Sequence, residues 1–137
     1  MGCDIHLFTE IKINGKWITH SIPRADRNYE LFELMAGVRG ENSKAIVEPK
    51  GLPNDMGEIT SMYAKHWEGD SHTGSWFNAQ EICILYKEIR SKKIIRGAIG
   101  LDLCGYFFGG DWSEFVEYRE TLPKEVEDIR FVFWFDC

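Results

Sequence analysis

The sequence predicts an α+β fold: a small, mainly antiparallel sheet, made of an N-terminal hairpin and a C-terminal strand, covered by three or four helices. Three observations lead there. Residues 4–13, DIHLFTEIKI, alternate apolar and polar side chains and run into Asn14-Gly15. Residues 129–136, IRFVFWFD, alternate again and carry bulky apolar groups at most positions. Between them lie segments with apolar residues at helical spacing, bounded by capping residues.

In the first segment Ile5, Leu7, Ile11 and Ile13 share one face, while Asp4, His6, Glu10 and Lys12, with Phe8 among them, share the other. Asn-Gly tolerates positive φ at both positions and is a strong two-residue hairpin signal. Such a turn sets Ile11 opposite Ile18 and Leu7 opposite Ile22, puts Trp17 beside the Asp4 and His6 face, and leaves His20 as a packed or edge residue. Asn28 then caps a helix whose Leu31, Leu34, Met35 and Val38 recur on one side, ended by Gly37 to Gly40. Residues 41–58 hold two prolines and read as an ordered, functional loop.

A short helix is expected around Glu58 to Trp67. Asn78 and Glu81 make a capping box, Phe77 and Ile82 a hydrophobic staple, and Ile82, Leu85, Tyr86 and Ile89 the buried face of the next helix. His72, Ser75 and Trp76 accordingly fall on the loop before a helix N-terminus, where free N–H groups suit an anion. Residues 94–110 are glycine-punctuated, but no Gly-Lys-Ser/Thr follows, so the phosphate-loop signal is weak. Asp111 and Glu114 cap a further helix over 112–121, near Trp112, and Pro123 ends it.

With 137 residues the chain reads as one globular domain, 1–137, able to bury roughly two-thirds of its unfolded surface. Its 22 acidic and 16 basic residues give a net charge of −6, which disfavours duplex nucleic acid, since polyanion binding needs clustered cations. The basic stretch RSKKIIR at 90–96 reads as a solvated helix end or strand edge. No apolar run approaches the ~20 residues of a membrane span, and the first residues lack the order of a signal peptide. The expectation is a cytoplasmic protein that engages no membrane. Cys3, Cys83, Cys104 and Cys137 form no CxxC pair, and four reduced thiols are expected in the cytosol.

GCDIHLF, DRNYELF, AGVRG, PKGLP, HTGSW and VFWFD occur in that order along nearly the whole chain. In this the chain resembles a family of small proteins associated with phages, prophages and their bacterial hosts, mostly described as uncharacterised. Relatives often read HSHSW in the fifth element, with a second His where this chain has Gly74. The resemblance implies a phage accessory role, with the host cytosol as its place of action.

Pairing the two end strands brings Asp136 near Asp4 and His6, and His72 adds a second imidazole. Two carboxylates and two imidazoles suit a divalent metal, with Asp4, His6, His72 and Asp136 as ligands, or acid–base work by His6 and His72. The competing account has Asp4 in a turn, His6 satisfied by a backbone carbonyl and Asp136 solvated. Arg27, Arg39 and Lys50 each stand next to a turn or glycine, where an Arg fork can grip phosphate; paired surface charges are the alternative. Tyr29 and Trp76 offer stacking surfaces, and Ser75 a hydroxyl.

Three functions follow as expectations. The first is capture, without conversion, of a small phosphorylated, nucleotide-like ligand by Asp4, His6, Arg27, Tyr29, Arg39, Lys50, His72, Ser75, Trp76 and Asp136, in a counter-defence role. The second is a phosphodiesterase using His6 and His72, with or without a metal. The third is a protein-only inhibitor of a host enzyme. Capture requires no cofactor, a divalent metal is compatible with hydrolysis, and homo-oligomer formation is left open.

Overall fold

The computed structural model describes residues 2–23, 27–40, 45–91 and 122–137. Four strands form one sheet in the order β2-β1-β4-β3, antiparallel at every pairing, with three helices among the described residues. The elements are β1 (Asp4–Ile13), β2 (Lys16–Ser21), α1 (Tyr29–Ala36), α2 (Glu58–His66), β3 (Ser71–Asn78), α3 (Ala79–Ser91) and β4 (Asp128–Asp136). This is the α+β architecture read from the sequence. The glycine-punctuated segment 94–110, the helix expected over 112–121, most of the basic stretch, Cys104 and Trp112 lie outside the described residues.

Asn14 and Gly15 take φ of 52° and 73°, so the β1–β2 turn has the positive values its two residues permit. Ile11 pairs with Ile18 as expected. The expected pairing of Leu7 with Ile22 fails, because the register shifts between Thr9 and Glu10: Thr9 pairs with Ser21 and Glu10 with Thr19. A bulge of this kind inserts one extra residue and bends an edge strand. His20 is the inserted residue, exposed on the edge.

The opening pattern puts Ile5 and Leu7 on one face of β1, against Asp4, His6 and Phe8 on the other, and both faces are covered. On the first, Cys3, Ile5, Leu7, Ile129, Phe131, Phe133 and Phe135 pack with Leu31, Phe32 and Met35 of α1 and Ile82, Leu85 and Tyr86 of α3. Asn28 caps α1 by accepting from Leu31 N at 3.1 Å, and Gly37 closes it with φ 72°. Asn78 and Glu81 make the reciprocal capping box of α3, each bond 2.9 Å. On the second face Phe8 stacks on Trp134 (4.9 Å between centroids) and meets Tyr63 of α2 at 5.4 Å.

The segment after α1 joins the two faces. Ile46 N donates to Leu34 O, and Ile46 and Val47 pack against the first core. Lys50 N then reaches Ser75 Oγ at 3.0 Å on the β3 edge, Leu52 fills the space a side chain at Gly74 would need, and Gly57 N donates to Glu10 Oε2 at 2.7 Å on the second face. Over the described residues 45–57 it is an ordered crossing, as its prolines suggested.

The second face also holds a buried ion pair that the sequence reading missed. Arg130 sits opposite Glu10 across β1 and β4 and bonds it at 2.7 Å, with side-chain exposures of 4% and 0%. Asp55 takes the other side of the guanidinium at 3.0 Å, and Trp17 lies 4.0 Å beneath it. Removing one partner of such a pair strands the other charge in the interior. Arg130→Met is therefore expected to lower the urea unfolding free energy by about 3–5 kcal/mol, and Glu10→Gln in the same chain to recover part of the loss. Additive losses in the double variant would contradict this account.

Candidate functional site

Backbone pairing decides which polar groups meet. Asp4 stands opposite Asp136, and Ser71 pairs with Asp136 from the other side, so the start of β1, the end of β4 and the start of β3 share one end of the sheet. His6 and Asp136 project from the second face. His6 Nε2 donates to Asp136 Oδ2 at 2.5 Å, with exposures of 22% and 24%. An ionised carboxylate only accepts, so it fixes which ring nitrogen bears the proton and leaves Nδ1 open. The imidazole lies between two indoles, with centroids 4.4 Å from Trp67 and 5.8 Å from Trp134. Trp134 Nε1, deep beside it, is buried without a hydrogen-bond partner among the described residues.

Arg27 closes its fork on Asp4, with Nε 2.7 Å from Oδ1 and Nη2 3.2 Å from Oδ2. The pair is 54% and 48% exposed. Across the strand, Tyr29 Oη accepts from Cys3 N at 3.2 Å, while Arg39 Nε donates to Cys3 Sγ at 3.1 Å and its guanidinium lies 5.6 Å from the Tyr29 ring. Asp4, His6, Arg27, Tyr29, Arg39, His72 and Asp136 thus gather at this end of the sheet.

Lys50, Ser75 and Trp76 do not join them. The Lys50 ammonium lies 3.5 Å from the Trp76 ring centroid and 2.6 Å from Glu81 Oε1, alongside the Ser75 bond. These three serve the α3 cap and the crossing segment, and the lysine takes the ring face that was expected to receive a base.

The expected pre-helix loop is a strand. Ser71–Asn78 pairs along β4 and α3 starts at once at Ala79, so no loop separates His72 from the helix. Thr73 at φ 55° and a register shift between His72 and Ser75 interrupt the alternation, which is why the segment reads as a turn. At the helix end, Asn78 N and Glu81 N already bind each other's side chains, so they are not available to an anion.

His72 pairs with Phe135, on the first face, and its Nε2 lies 3.0 Å from Cys137 Sγ. His6 and Asp136 occupy the other face. The four-member metal set of Asp4, His6, His72 and Asp136 does not assemble, and neither does an acid–base pair of His6 with His72. The group able to hold a metal is a different one: Cys3, His72 and Cys137, whose donor atoms all lie within 4.8 Å of one another. Cys3 and Cys137 are joined as a disulfide, where four reduced thiols were expected, and Cys83 takes no part in that bond. No helix among the described residues is long and apolar enough to cross a membrane.

The hydrogen bond from Arg27, above all, holds the Asp4 carboxyl below the usual aspartate range, and the positive charge adds to it. A depressed acid contributes stability above its unfolded pKa and loses it as pH falls through the folded value. The pair therefore holds at neutral pH and opens only in acid, and its exposure keeps the stability involved small. Carboxyl-detected NMR is expected to place the Asp4 midpoint below that of an unpaired aspartate, and Arg27→Ala to move it back up; a midpoint indifferent to Arg27 would contradict the pairing.

The chain matches no protein-family model, no curated protein and no solved structure, so the groups at the sheet end have to speak for its function.

Proposed function

We propose that the sheet end captures a small phosphorylated, nucleotide-like ligand and releases it unchanged. The observation that carries this reading is the Arg27 fork, which already holds a planar oxyanion through two N–H groups at an exposed site. A phosphate presents the same pair of oxygens. Because exposed ion pairs contribute only about 0–1 kcal/mol, Asp4 is a partner that a ligand can displace. Arg39 supplies a second guanidinium nearby, and Trp67, half-buried over His6, offers an indole for a base. Under the resemblance to phage and prophage proteins, the ligand is a nucleotide-type immune signal of a bacterial host and capture is counter-defence.

Hydrolysis is the second reading, favoured by one feature: the His6–Asp136 pair has the form of a base held by an orienting carboxylate, with Nδ1 open. Without His72 on the same face it lacks the second imidazole that the phosphodiesterase scheme needs.

The test is to incubate the chain with cyclic nucleotides and ADP-ribose derivatives, denature it, and identify what is released. Intact ligand is expected. Arg27→Ala is expected to weaken capture at least tenfold, from the ~1.5–3 kcal/mol of a hydrogen bond to a charged group. Asp4→Asn is expected to tighten it by freeing the fork. Cleaved product that disappears in His6→Ala would replace capture by hydrolysis, and failure of every probe to bind would remove both.

A further inference from the structure

On the first face, opposite the His6–Asp136 pair, Cys3 and Cys137 extend the β1–β4 ladder by one step and are joined as a disulfide. Cys3 is buried, whereas His72 and Cys137 are exposed. Nothing in the capture of a phosphorylated ligand uses these three side chains together.

We propose that they form a redox-gated site for a thiophilic divalent cation, with Zn2+ as the chemical type. Two thiolates and an imidazole are a set that zinc favours, and three protein ligands leave a fourth position for water or a substrate atom. Tetrahedral zinc separates such donors by roughly 3.6–3.8 Å, from bond lengths of about 2.3 Å to sulfur and 2.0–2.1 Å to nitrogen. The three donors already lie within 4.8 Å of one another, so side-chain rotation suffices once the sulfurs are no longer bonded.

Two further features are those of a ligand site. His72 Nδ1 lies 2.8 Å from Thr73 Oγ1, and a proton donated there leaves the Nε2 lone pair facing the sulfurs. Thr73 makes this contact at φ 55°, a backbone conformation costly for a β-branched residue and of a kind found where surrounding structure enforces a functional geometry. On the other side, Arg39 Nε donates to Cys3 Sγ at 3.1 Å and holds that sulfur in place.

The gate balances as follows. A dithiol reductant transfers two electrons and two protons to the disulfide, giving the thiols of Cys3 and Cys137 while the reductant closes to its own disulfide. Zn2+ then displaces both thiol protons to solvent and takes His72 Nε2 as third ligand. In the reverse direction a disulfide oxidant takes two electrons from the two thiolates and two protons from solvent, leaving as its dithiol, while Zn2+ is released and the Cys3–Cys137 bond is restored.

The full chain is titrated with Co2+ and Zn2+ under anaerobic conditions, once after reduction by dithiothreitol and removal of the reductant, and once oxidised. The reduced chain is expected to bind one ion, with Co2+ giving thiolate-to-metal charge-transfer absorption, and the oxidised chain none. His72→Ala and Thr73→Val are each expected to weaken Zn2+ by on the order of tenfold or more, the valine keeping the β-branched shape while losing the oxygen. Cys83→Ser is expected to leave binding unchanged. In the wild-type chain Zn2+ is expected to protect Cys3 and Cys137, read by mass spectrometry, from iodoacetamide, a measurement independent of how well any variant folds. The proposal falls if reduced chain binds no ion, if Zn2+ leaves both thiols equally reactive, or if a folded Cys3→Ser/Cys137→Ser double variant binds as the wild type does.

Discussion

The register of β4 against β1 is the constraint on which the rest of the molecule depends. β4 is buried on both faces along nearly its whole length, so hydrophobic patterning alone penalises a one-residue slip weakly: an aromatic ring would replace another on either side. The buried Arg130–Glu10 pair supplies the discrimination. A slip would carry the guanidinium to the other face, among Phe131, Phe133 and the α3 core, and leave Glu10 charged without a partner. Against a well-packed apolar substitute a buried ion pair adds little stability, so its contribution here is as a register lock. Gly57 N and Asp55 bind the same two side chains, so the crossing segment is pinned by the element that pins the sheet.

That register also composes the sheet end. With Glu10 opposite Arg130, Asp4 falls opposite Asp136, and the next residues outward are the two cysteines. Two carboxylates facing each other across a ladder repel, and each has found a cationic or proton-donating neighbour: Arg27 for Asp4 and His6 for Asp136. The two solutions differ in exchangeability. Arg27 lies in solvent and can change partners at little cost, while His6 is wedged between Trp67 and Trp134 and keeps its orientation. An end built this way has a fixed centre and a replaceable rim.

Much of the fold was legible because its signals are local. Asn14-Gly15, Asn28 with Leu31, and Asn78 with Glu81 are each decided by residues within a few positions of one another, and each forms as read. β3 was missed because Thr73 and Gly74 break the alternation over half of its length, so that a strand carrying an irregularity imitates a loop. The site was legible only in part. Pairing Asp136 with Asp4 and His6 follows from joining the end strands, and the same register, run six residues inward and one outward from Asp4, gives Glu10–Arg130 and Cys3–Cys137, both of which were there to be found. What no local pattern contains is the side of the sheet to which β3 presents His72, since that depends on the register shift between His72 and Ser75.

The cysteine pair closes a loop across a sequence separation of 134, and cross-links of such span restrict the unfolded chain by about 4–5 kcal/mol in the loop-entropy account. Reduction alone would forfeit that restraint at the edge where Asp4 and Asp136 are held opposed. A cation taken up by the same two sulfurs with His72 would restore it and add β3 to the closure, because His72 belongs to the third strand of that end. The two states would then differ little in the strand register and more in what they expose: one a spent disulfide, the other a metal with an open coordination position. Because Cys3 adjoins Asp4 and Cys137 adjoins Asp136, a shift at the sulfurs on one face reaches the Arg27 fork and the His6 bond on the other through a single peptide unit each. The two faces of the sheet end carry different chemistry, and they share the Cys3–Asp4 and Asp136–Cys137 backbone and the Arg39 guanidinium bonded to Cys3.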